Sequence, residues 1–408
     1  MVLAERFAFR ASVFAVVFLP VIWSLGFSLR LYGYHPWPGV ALYAHIFAFL
    51  LIVLFLVRLF AGFKLRSYFS LVLSFVFLIV LMSGANLIFK NKEYISEAFT
   101  QNLIYVFYFV FYVAVGFYLY RHKMHDFFLA AYMIFFLGLC FLFLDLNQTI
   151  PLSLYNMRGE FDEAIVNYQL ISFSLVFLFF LVYRGFVEKR EFFIFVLVLS
   201  LVFVTGGRSE FIGLLLSMVL VLFFVIFVSF LKRFSISRMN IYFIFLAVFI
   251  VLFSFVLVNY FPGFLNNRNF QIFDLDNASS VIARNEIMSI NMIHIRENLL
   301  LGDFGSHFEM SRGSYIHNIL SVWQQFGGLV FMLYVLIIYI PVIYFVFMYF
   351  KAEDKVYLNP LLISLYVAIL LAATKSFFWP VAGLSVGVCL AFNLFSNKAV
   401  AGVNKGLL

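Results

Sequence analysis

Charged residues are scarce in this sequence. Asp, Glu, Lys and Arg make up 11% of its 408 residues, whereas 65% of the residues are hydrophobic. So small a polar fraction cannot cover the surface of a water-soluble protein of this length. The two soluble domains that the length alone would allow are therefore excluded.

Cysteine is also rare. The two cysteines, Cys140 and Cys389, both lie within apolar runs. This placement indicates packing in a core and argues against a disulfide framework or a cysteine-ligated metal site. The basic residues give a formal net charge of +8, but they lie between apolar runs and do not form one soluble basic face. A nucleic-acid partner is therefore not expected.

Several enzyme motifs are absent as well. The sequence has no HExxH, no phosphate-binding loop ending in Lys-Ser/Thr, no GxSxG and no Cys/His spacing typical of metal sites. Asp274-Leu275-Asp276 has the letters of a metal–diphosphate site, but a single such tripeptide in an acidic loop favours a solvated turn. A metal-dependent sugar-nucleotide enzyme is not favoured, and we expect neither a metal ion nor a cofactor.

Long apolar runs dominate the sequence, and many approach or exceed the ~18–20 residues that a membrane-spanning helix needs. They predict an all-α polytopic membrane protein, whose first run is an anchor because it lacks a small-residue cleavage site. We predict about twelve spans, with eleven or thirteen as alternatives. The spans are Ala8–Leu29, Gly39–Leu59, Tyr68–Phe89, Phe99–Tyr120, Phe127–Leu146, Tyr168–Phe186, Phe192–Thr205, Phe211–Leu231, Ile241–Phe261, Leu329–Phe350, Pro360–Pro380 and Val381–Phe395.

The distribution of Lys and Arg predicts the orientation of these spans. With a cytoplasmic N-terminus, the inner segments hold seventeen Lys and Arg residues and the short outer loops hold five. This asymmetry places both termini in the cytoplasm and the long segment 262–328 outside it. The chain then divides into spans over 1–200, further spans over 201–261, the outer loop 262–328, and C-terminal spans with a tail over 329–408.

The longest mixed polar interval, Val281–Gly328, lies within this outer loop. It carries Arg284, Arg296, Arg312 and His317, and such groups are costly in a membrane protein unless they lie at an aqueous edge or pair with another charge. Residues 281–299 predict a helix at the membrane surface. Its narrow apolar stripe consists of Val281, Met288, Met292, Ile295 and Leu299.

Arg208 follows the Gly206-Gly207 pair at the outer end of the seventh span. The glycines permit a tight turn, the helix that begins near Ser209 presents its positive end, and a guanidinium there could bind a phosphate through two hydrogen bonds. The alternative is an arginine that extends to the interface and pairs with Glu210. The spacing alone favours neither.

Arg284 and His317 each have two interpretations. Arg284 could reach the anionic group that Arg208 binds, or it could simply face lipid phosphates. The imidazole of His317 could accept a proton from a sugar hydroxyl, although a histidine at a helix start is more often a hydrogen-bonded cap.

Three stretches resemble a known family. They are Thr205-Gly-Gly-Arg-Ser-Glu210, Leu301-Gly-Asp-Phe-Gly305, and the run HNILSVWQQFGGLVFML that begins at His317. Their order and spacing resemble the Wzy/WaaL superfamily of bacterial O-antigen polymerases and O-antigen ligases, over about residues 200–350. The family pattern has Ser where Gly207 stands and usually an acidic residue near Gln325.

The resemblance implies a GT-C-like, metal-independent glycosyltransferase of the bacterial inner membrane, acting at its periplasmic face. Arg208 and Arg284 would hold the donor diphosphate, and His317 would orient or deprotonate the acceptor hydroxyl. The implied partners are undecaprenyl-diphosphate-linked glycans as donor and acceptor, membrane lipids and a chain-length regulator. We also predict that substrate is bound by four further residues: Arg296, Arg312, Tyr315 and Asn318.

Polymerisation of oligosaccharide repeat units is the function that we favour. An O-antigen ligase, which transfers the finished glycan to lipid A–core, uses the same donor chemistry and is the nearest alternative. A flippase of lipid-linked oligosaccharides is an alternative from another class, and it requires charged residues along a path within the spans. Few residues qualify, among them Asp145 and Lys375, which lies within the predicted eleventh span.

Overall fold

The computed structural model describes residues 3–14, 16, 38–61, 67–90, 94–119, 168–184, 189–205, 207–231, 279–310, 315–352 and 354–402. All regular secondary structure within these segments is helical. The α-helices are α1 (3–14), α2 (Pro38–Ala61), α3 (Ser67–Phe89), α4 (Ile95–Leu119), α5 (Tyr168–Val182), α6 (Lys189–Thr205), α7 (Arg208–Leu231), α8 (Ser279–Glu297), α9 (His307–Met310), α10 (Leu320–Ala352), α11 (Leu358–Ala373) and α12 (Gly383–Gly402).

Five of the described helical segments are long and apolar enough to cross a membrane: Ser67–Phe89, Ile95–Leu119, Arg208–Val228, Leu320–Ala352 and Lys355–Ala373. Shorter apolar helices lie at His45–Leu59, Ile171–Val182, Glu191–Phe203 and Pro380–Phe392. These helices confirm the helical membrane class. The predicted fifth and ninth spans and most of the first lie outside the described residues, so the count of twelve and the GT-C-like fold stay predictions.

The predicted eleventh span is wrong at its C-terminal end. Helix α11 ends at Ala373, and Thr374–Trp379 is non-helical, so Lys375 lies between two helices and not within one. Hydropathy does not detect this break because Phe377, Phe378 and Trp379 continue the apolar run. The break is instead defined by hydrogen bonds, since the backbone N–H of Phe377 donates to the Ser321 hydroxyl at 2.6 Å.

The start of α10 and the end of α11 meet at one end of the bundle, where the backbone N–H of Ile319 donates to the carbonyl of Leu371 at 2.8 Å. Side-chain contacts bring the first two turns of α4 and α5, the first turn of α7, the end of α6 and the residue that follows α3 to the same end. We call this the polar end of the bundle. The contacts are Gln101–His307, Lys375–Gln169, Lys375–Glu210, Lys90–Asp303 and Ser172–Thr205.

Glycines bring α4 and α12 into backbone contact below the polar end. A Cβ atom on Gly383 would overlap the carbonyl oxygen of Phe109, and one on Gly387 would overlap that of Val113. The four-residue spacing of these glycines places both on one face of α12. Small residues at this spacing allow membrane helices to approach closely. The resulting hairpin of α11 and α12 holds the Thr374–Trp379 segment against the start of α10.

A second glycine contact anchors the turn between α8 and α10. Gly327 interrupts α10 with φ 78° and ψ 179°, and Gly302 in the turn has φ 71°. Both values lie in the left-handed region, which glycine adopts without steric cost. A Cβ on Gly327 would overlap the carbonyl of Leu300, and one on Gly302 would overlap the backbone N of Gly327. The turn and the break in α10 therefore pack this closely only because both positions are glycine. The Leu301–Gly305 and Phe326-Gly327-Gly328 stretches are thereby one structural unit.

Candidate functional site

The helix predicted over residues 281–299 is confirmed as α8, which spans Ser279–Glu297. Its buried positions include Asn291 and Ile295, whereas Met288 and Leu299 of the predicted apolar stripe are exposed. Asn291 accepts a hydrogen bond from the side-chain amide of Gln324 at 2.6 Å. A polar contact therefore secures α8 to α10, and its location at a membrane surface stays a prediction.

Arg284 lies on the face of α8 that turns towards the start of α10. It precedes Asn291 by seven residues, which is about two helical turns, so the two side chains leave the helix in nearly the same direction. The side chain of Arg284 is half-buried. This geometry places a guanidinium at the polar end of the bundle, beside the segment that carries His317.

His317 lies three residues before α10, with its ring 5.1 Å from that of Tyr315. Burial and the positive charges of Arg284 and Lys375 lower the pKa of His317 to about 4. Lys375 lies in the Thr374–Trp379 segment, whose Phe377 N–H donates to the Ser321 hydroxyl at the start of α10, so this segment lies next to the one that carries His317. The imidazole is neutral at pH 7 and is able to accept a proton.

Asn318 supplies the cap of α10. Its side-chain oxygen accepts the backbone N–H of Leu320 at 2.9 Å, and its carbonyl accepts the hydroxyl of Ser321 at 2.8 Å. The capping role that is the common alternative for His317 is thus performed by its neighbour. Tyr315, the other predicted binding residue here, packs its ring against His307 at 5.9 Å and Phe378 at 5.1 Å.

Lys375 is the site residue that sequence reasoning did not assign to the site. Its Nζ lies 2.6 Å from Oε1 of Glu210 and 3.2 Å from Oε1 of Gln169. The side chain of Lys375 is 9% exposed and that of Glu210 is 1% exposed. The sequence signal that could have assigned Lys375 to the site is its position inside an apolar run, because charged residues in such runs are rare unless they pair with another charge or have a function.

Arg208 begins α7 at the same end of the bundle. Glu210, two residues later, binds Lys375 and accepts the hydroxyl of Ser209 at 2.9 Å. The alternative interpretation, which paired Arg208 with Glu210, stays a prediction, and Lys375 is an ion-pair partner of that carboxylate. The structure therefore places Arg208 at a helix N-terminus next to the Glu210–Lys375 pair, where an anion is favoured.

Packing explains why glycine stands at position 207, where the sequence pattern that this stretch resembles has Ser. A Cβ atom at this position would overlap the Ser172 hydroxyl and lie 3.2 Å from Oε2 of Glu210. The Ser172 hydroxyl also contacts that of Thr205, at the end of α6. A serine at position 207 would displace these groups, so this chain requires glycine there.

The contacts of Gln325 explain why an amide side chain, and not a carboxylate, stands at position 325. Its Oε1 accepts the backbone N–H of Gly305 at 2.9 Å, which directs its Nε2 to Nδ1 of His307 at 2.8 Å. The ring must therefore accept at Nδ1 and donate from Nε2 to Oε1 of Gln101, at 2.9 Å. Burial lowers the pKa of His307 to about 4. A carboxylate at position 325 could not donate to the neutral ring, so the amide suits this histidine.

The remaining predicted binding residues lie apart from this group. Arg296 is exposed and follows Arg284 by twelve residues, which is about 18 Å along α8. Arg312 lies outside the described residues. Near the end of α8, His294 contacts Asp303 at 3.0 Å, and Asp303 also pairs with Lys90 at 3.3 Å. These contacts attach the α8 end to α3.

Among the described residues, no group of three or more His, Cys, Asp and Glu side chains is placed to hold a metal ion. The charged groups that act on or adjoin the neutral His317 are Arg284 and the Lys375–Glu210 ion pair, and their net positive charge suits an anionic ligand. Comparison with known proteins identifies no relative, since no family model, curated protein or solved structure matches this chain.

Proposed function

We propose that this protein is an O-antigen polymerase of the bacterial inner membrane. It joins undecaprenyl-diphosphate-linked oligosaccharide repeat units at the periplasmic face, by glycosyl transfer without a metal ion. One observation carries the proposal: the segment with Lys375 is hydrogen-bonded to the start of α10 next to His317, and burial, Arg284 and Lys375 lower the pKa of His317 to about 4, so His317 remains neutral. A neutral base beside fixed cations is the combination that attack on a lipid diphosphate sugar requires.

The cations act on the donor. Its diphosphate group joins the polyprenyl chain to the anomeric carbon of the first sugar, and Arg208 and Arg284 bind the phosphate oxygens through paired hydrogen bonds. When the anomeric C–O bond breaks, both electrons remain with the departing diphosphate. Fixed positive groups stabilise that developing charge without reorganisation, and such electrostatic stabilisation supplies much of the rate enhancement in many enzymes.

His317 acts on the acceptor. Its imidazole accepts the hydroxyl proton as the acceptor oxygen bonds to the anomeric carbon, so the proton ends on His317 and the diphosphate leaves as undecaprenyl diphosphate. The bound donor also changes the basicity of the ring. Its negative charge offsets Arg284 and Lys375, so the pKa of His317 rises when donor is present. His317 is therefore a stronger base when the donor, whose anomeric C–O bond is to be broken, is bound.

The test is a gene-deletion strain examined by lipopolysaccharide gel electrophoresis. A polymerase predicts lipid A–core carrying a single repeat unit, whereas a ligase predicts lipid A–core alone with glycan retained on the carrier lipid. A normal ladder would refute the proposal. Purified protein with undecaprenyl-diphosphate-linked repeat units provides the second test, in which polymer should form in the presence of EDTA. A requirement for added metal would refute the metal-free mechanism.

A further inference from the structure

A buried ion pair adjoins the candidate base. Lys375 and Glu210 are 9% and 1% exposed, and Nζ of Lys375 lies 2.6 Å from Oε1 of Glu210. Removing two charges from water is costly, and apolar side chains of similar volume often serve a fold equally well. The pair therefore requires a reason beyond stability.

The backbone around Lys375 is built to hold that side chain in place. The segment Thr374–Trp379 is non-helical, and the N–H of Lys375 donates to the carbonyl of Leu370 at 2.7 Å. The ammonium lies 6.0 Å from the ring centroid of Trp379. Irregular backbone among membrane spans occurs where it is enclosed by protein or lines an aqueous cavity.

The segment that carries Lys375 packs against the start of α10, next to His317: the N–H of Phe377 donates to the Ser321 hydroxyl at 2.6 Å, and the ring of Phe378 lies 5.1 Å from that of Tyr315. The positive charge of Lys375 acts on the imidazole, because it contributes to the lowered pKa of His317. Its oxygen partners among the described residues are Glu210 and Gln169, and an ammonium has three N–H donors. The ammonium group therefore retains the capacity to donate to a further acceptor.

We propose that Lys375 is a third cationic ligand of the diphosphate, and that Glu210 is the positioning residue that holds the ammonium group beside His317. The proposal rests on the proposed function, and it specifies which negative charge of the diphosphate each cation stabilises. A sugar joined to a lipid by diphosphate carries two negative charges, which Arg208 and Arg284 match. When the sugar leaves, the released lipid diphosphate gains a third charge, and Lys375 meets that charge as it develops.

The test uses full-length protein in nanodiscs, with undecaprenyl diphosphate as the probe and undecaprenyl monophosphate as the comparison. Lys375→Met should weaken diphosphate binding by about tenfold to a hundredfold, the effect expected from loss of a charged hydrogen bond. Binding of the monophosphate should change much less. Lys351→Met, in the last turn of α10, is the matched control for lost charge and should bind both probes as the wild type does.

A double variant separates binding from folding. Lys375→Met leaves Glu210 buried without its ion-pair partner, so this variant should also be less stable to heat. Lys375→Met combined with Glu210→Gln removes both charges and should recover stability but not diphosphate binding. If the double variant recovered both stability and diphosphate binding, the Lys375–Glu210 pair would be purely structural and the proposal would be overturned. Glu210→Gln alone should weaken diphosphate binding. Lys375→Arg keeps the positive charge, so it should bind diphosphate more tightly than Lys375→Met does.

Kinetics provide an independent measurement. Because Lys375 meets charge that develops as the sugar leaves, Lys375→Met should lower kcat more than it raises KM in polymerisation. An effect confined to KM would overturn that assignment. If the wild type forms no polymer but binds undecaprenyl diphosphate through Lys375, the proposed function is wrong and this site remains. If polymer forms and the double variant binds diphosphate normally, only the inference about Lys375 fails. If the wild type binds no diphosphate at all, both this inference and the proposed function are overturned.

Discussion

The side-chain oxygen of Asn318 accepts the backbone N–H of Leu320 at 2.9 Å and so caps α10. His317, one residue earlier, is thereby released from the commonest structural role of a histidine at a helix start. Its imidazole instead lies within reach of the charges of Arg284 and Lys375. Adjacent residues thus have separate roles, one securing the helix and the other available for chemistry.

His317→Ala should fold and insert normally yet form no polymer, because the acceptor hydroxyl loses its base. The measurement is the lipopolysaccharide ladder of a complemented deletion strain, with protein in the membrane quantified in parallel. His45→Ala is the matched control, since His45 contacts Tyr108 and Phe107 in α4. Full-length glycan from the His317 variant would remove the proposed base.

Acid should destabilise the protein between about pH 6.5 and pH 4. His307 and His317 have folded pKa values of about 4, below the ordinary value of 6.5, so the unfolded chain binds protons first as the pH falls. The free energy of unfolding is therefore highest above this window and decreases through it, by on the order of 3 kcal/mol for fully buried His307. Thermal denaturation in detergent across this range measures the slope, which should be shallower in His307→Gln. An unchanged slope would exclude His307 as its source.

Gln325→Glu should raise the pKa of His307 above its present value of about 4. A carboxylate accepts at both oxygens, so it can take the Gly305 N–H and a proton from Nδ1, while Nε2 still donates to Gln101. Histidine NMR titration reports the change. Gln325→Met removes the donor without adding charge and should leave the pKa low, so equal titration in the two variants would contradict the contact.

Gly207→Ser should destabilise the protein by about 1–3 kcal/mol, the usual cost of overpacking. The new Cβ would overlap the Ser172 hydroxyl and crowd Glu210. Adding Ser172→Gly makes room, so the double variant should recover stability in thermal denaturation. If the single variant is as stable as the wild type, the contact with Ser172 does not restrict position 207.

Gly387→Ala should also destabilise the protein, by about 1–3 kcal/mol, because its Cβ would overlap the carbonyl of Val113 in α4. Gly84→Ala, in α3, is the matched control. A Cβ there meets no atom within 4 Å, and alanine is the better helix former by about 0.5–1 kcal/mol. The two substitutions should therefore shift the melting temperature in opposite directions, and equal shifts would exclude close packing of α4 on α12.

Hydropathy predicted the helices where apolar runs were long and uninterrupted. Helices α3, α4 and α7 lie within a few residues of their predicted spans, because an apolar segment in a bilayer must satisfy its backbone hydrogen bonds internally. Hydropathy failed at Thr374–Trp379, where aromatic residues continue the apolar run although the helix has ended. The end of α11 is set by contacts with Ile319 and Ser321, which the local sequence does not contain.

The sequence by itself determined that this is a helical membrane protein with a polar interval carrying Arg284 and His317. Composition and local periodicity are sufficient for that, since each span depends on its own residues. Only the tertiary structure decided that Lys375 lies beside His317, and that Glu210 pairs with Lys375 although the two are far apart in the chain. Coulomb interactions depend on distance in space, and the distance between Glu210 and Lys375 is set by the packing of α7 against α11.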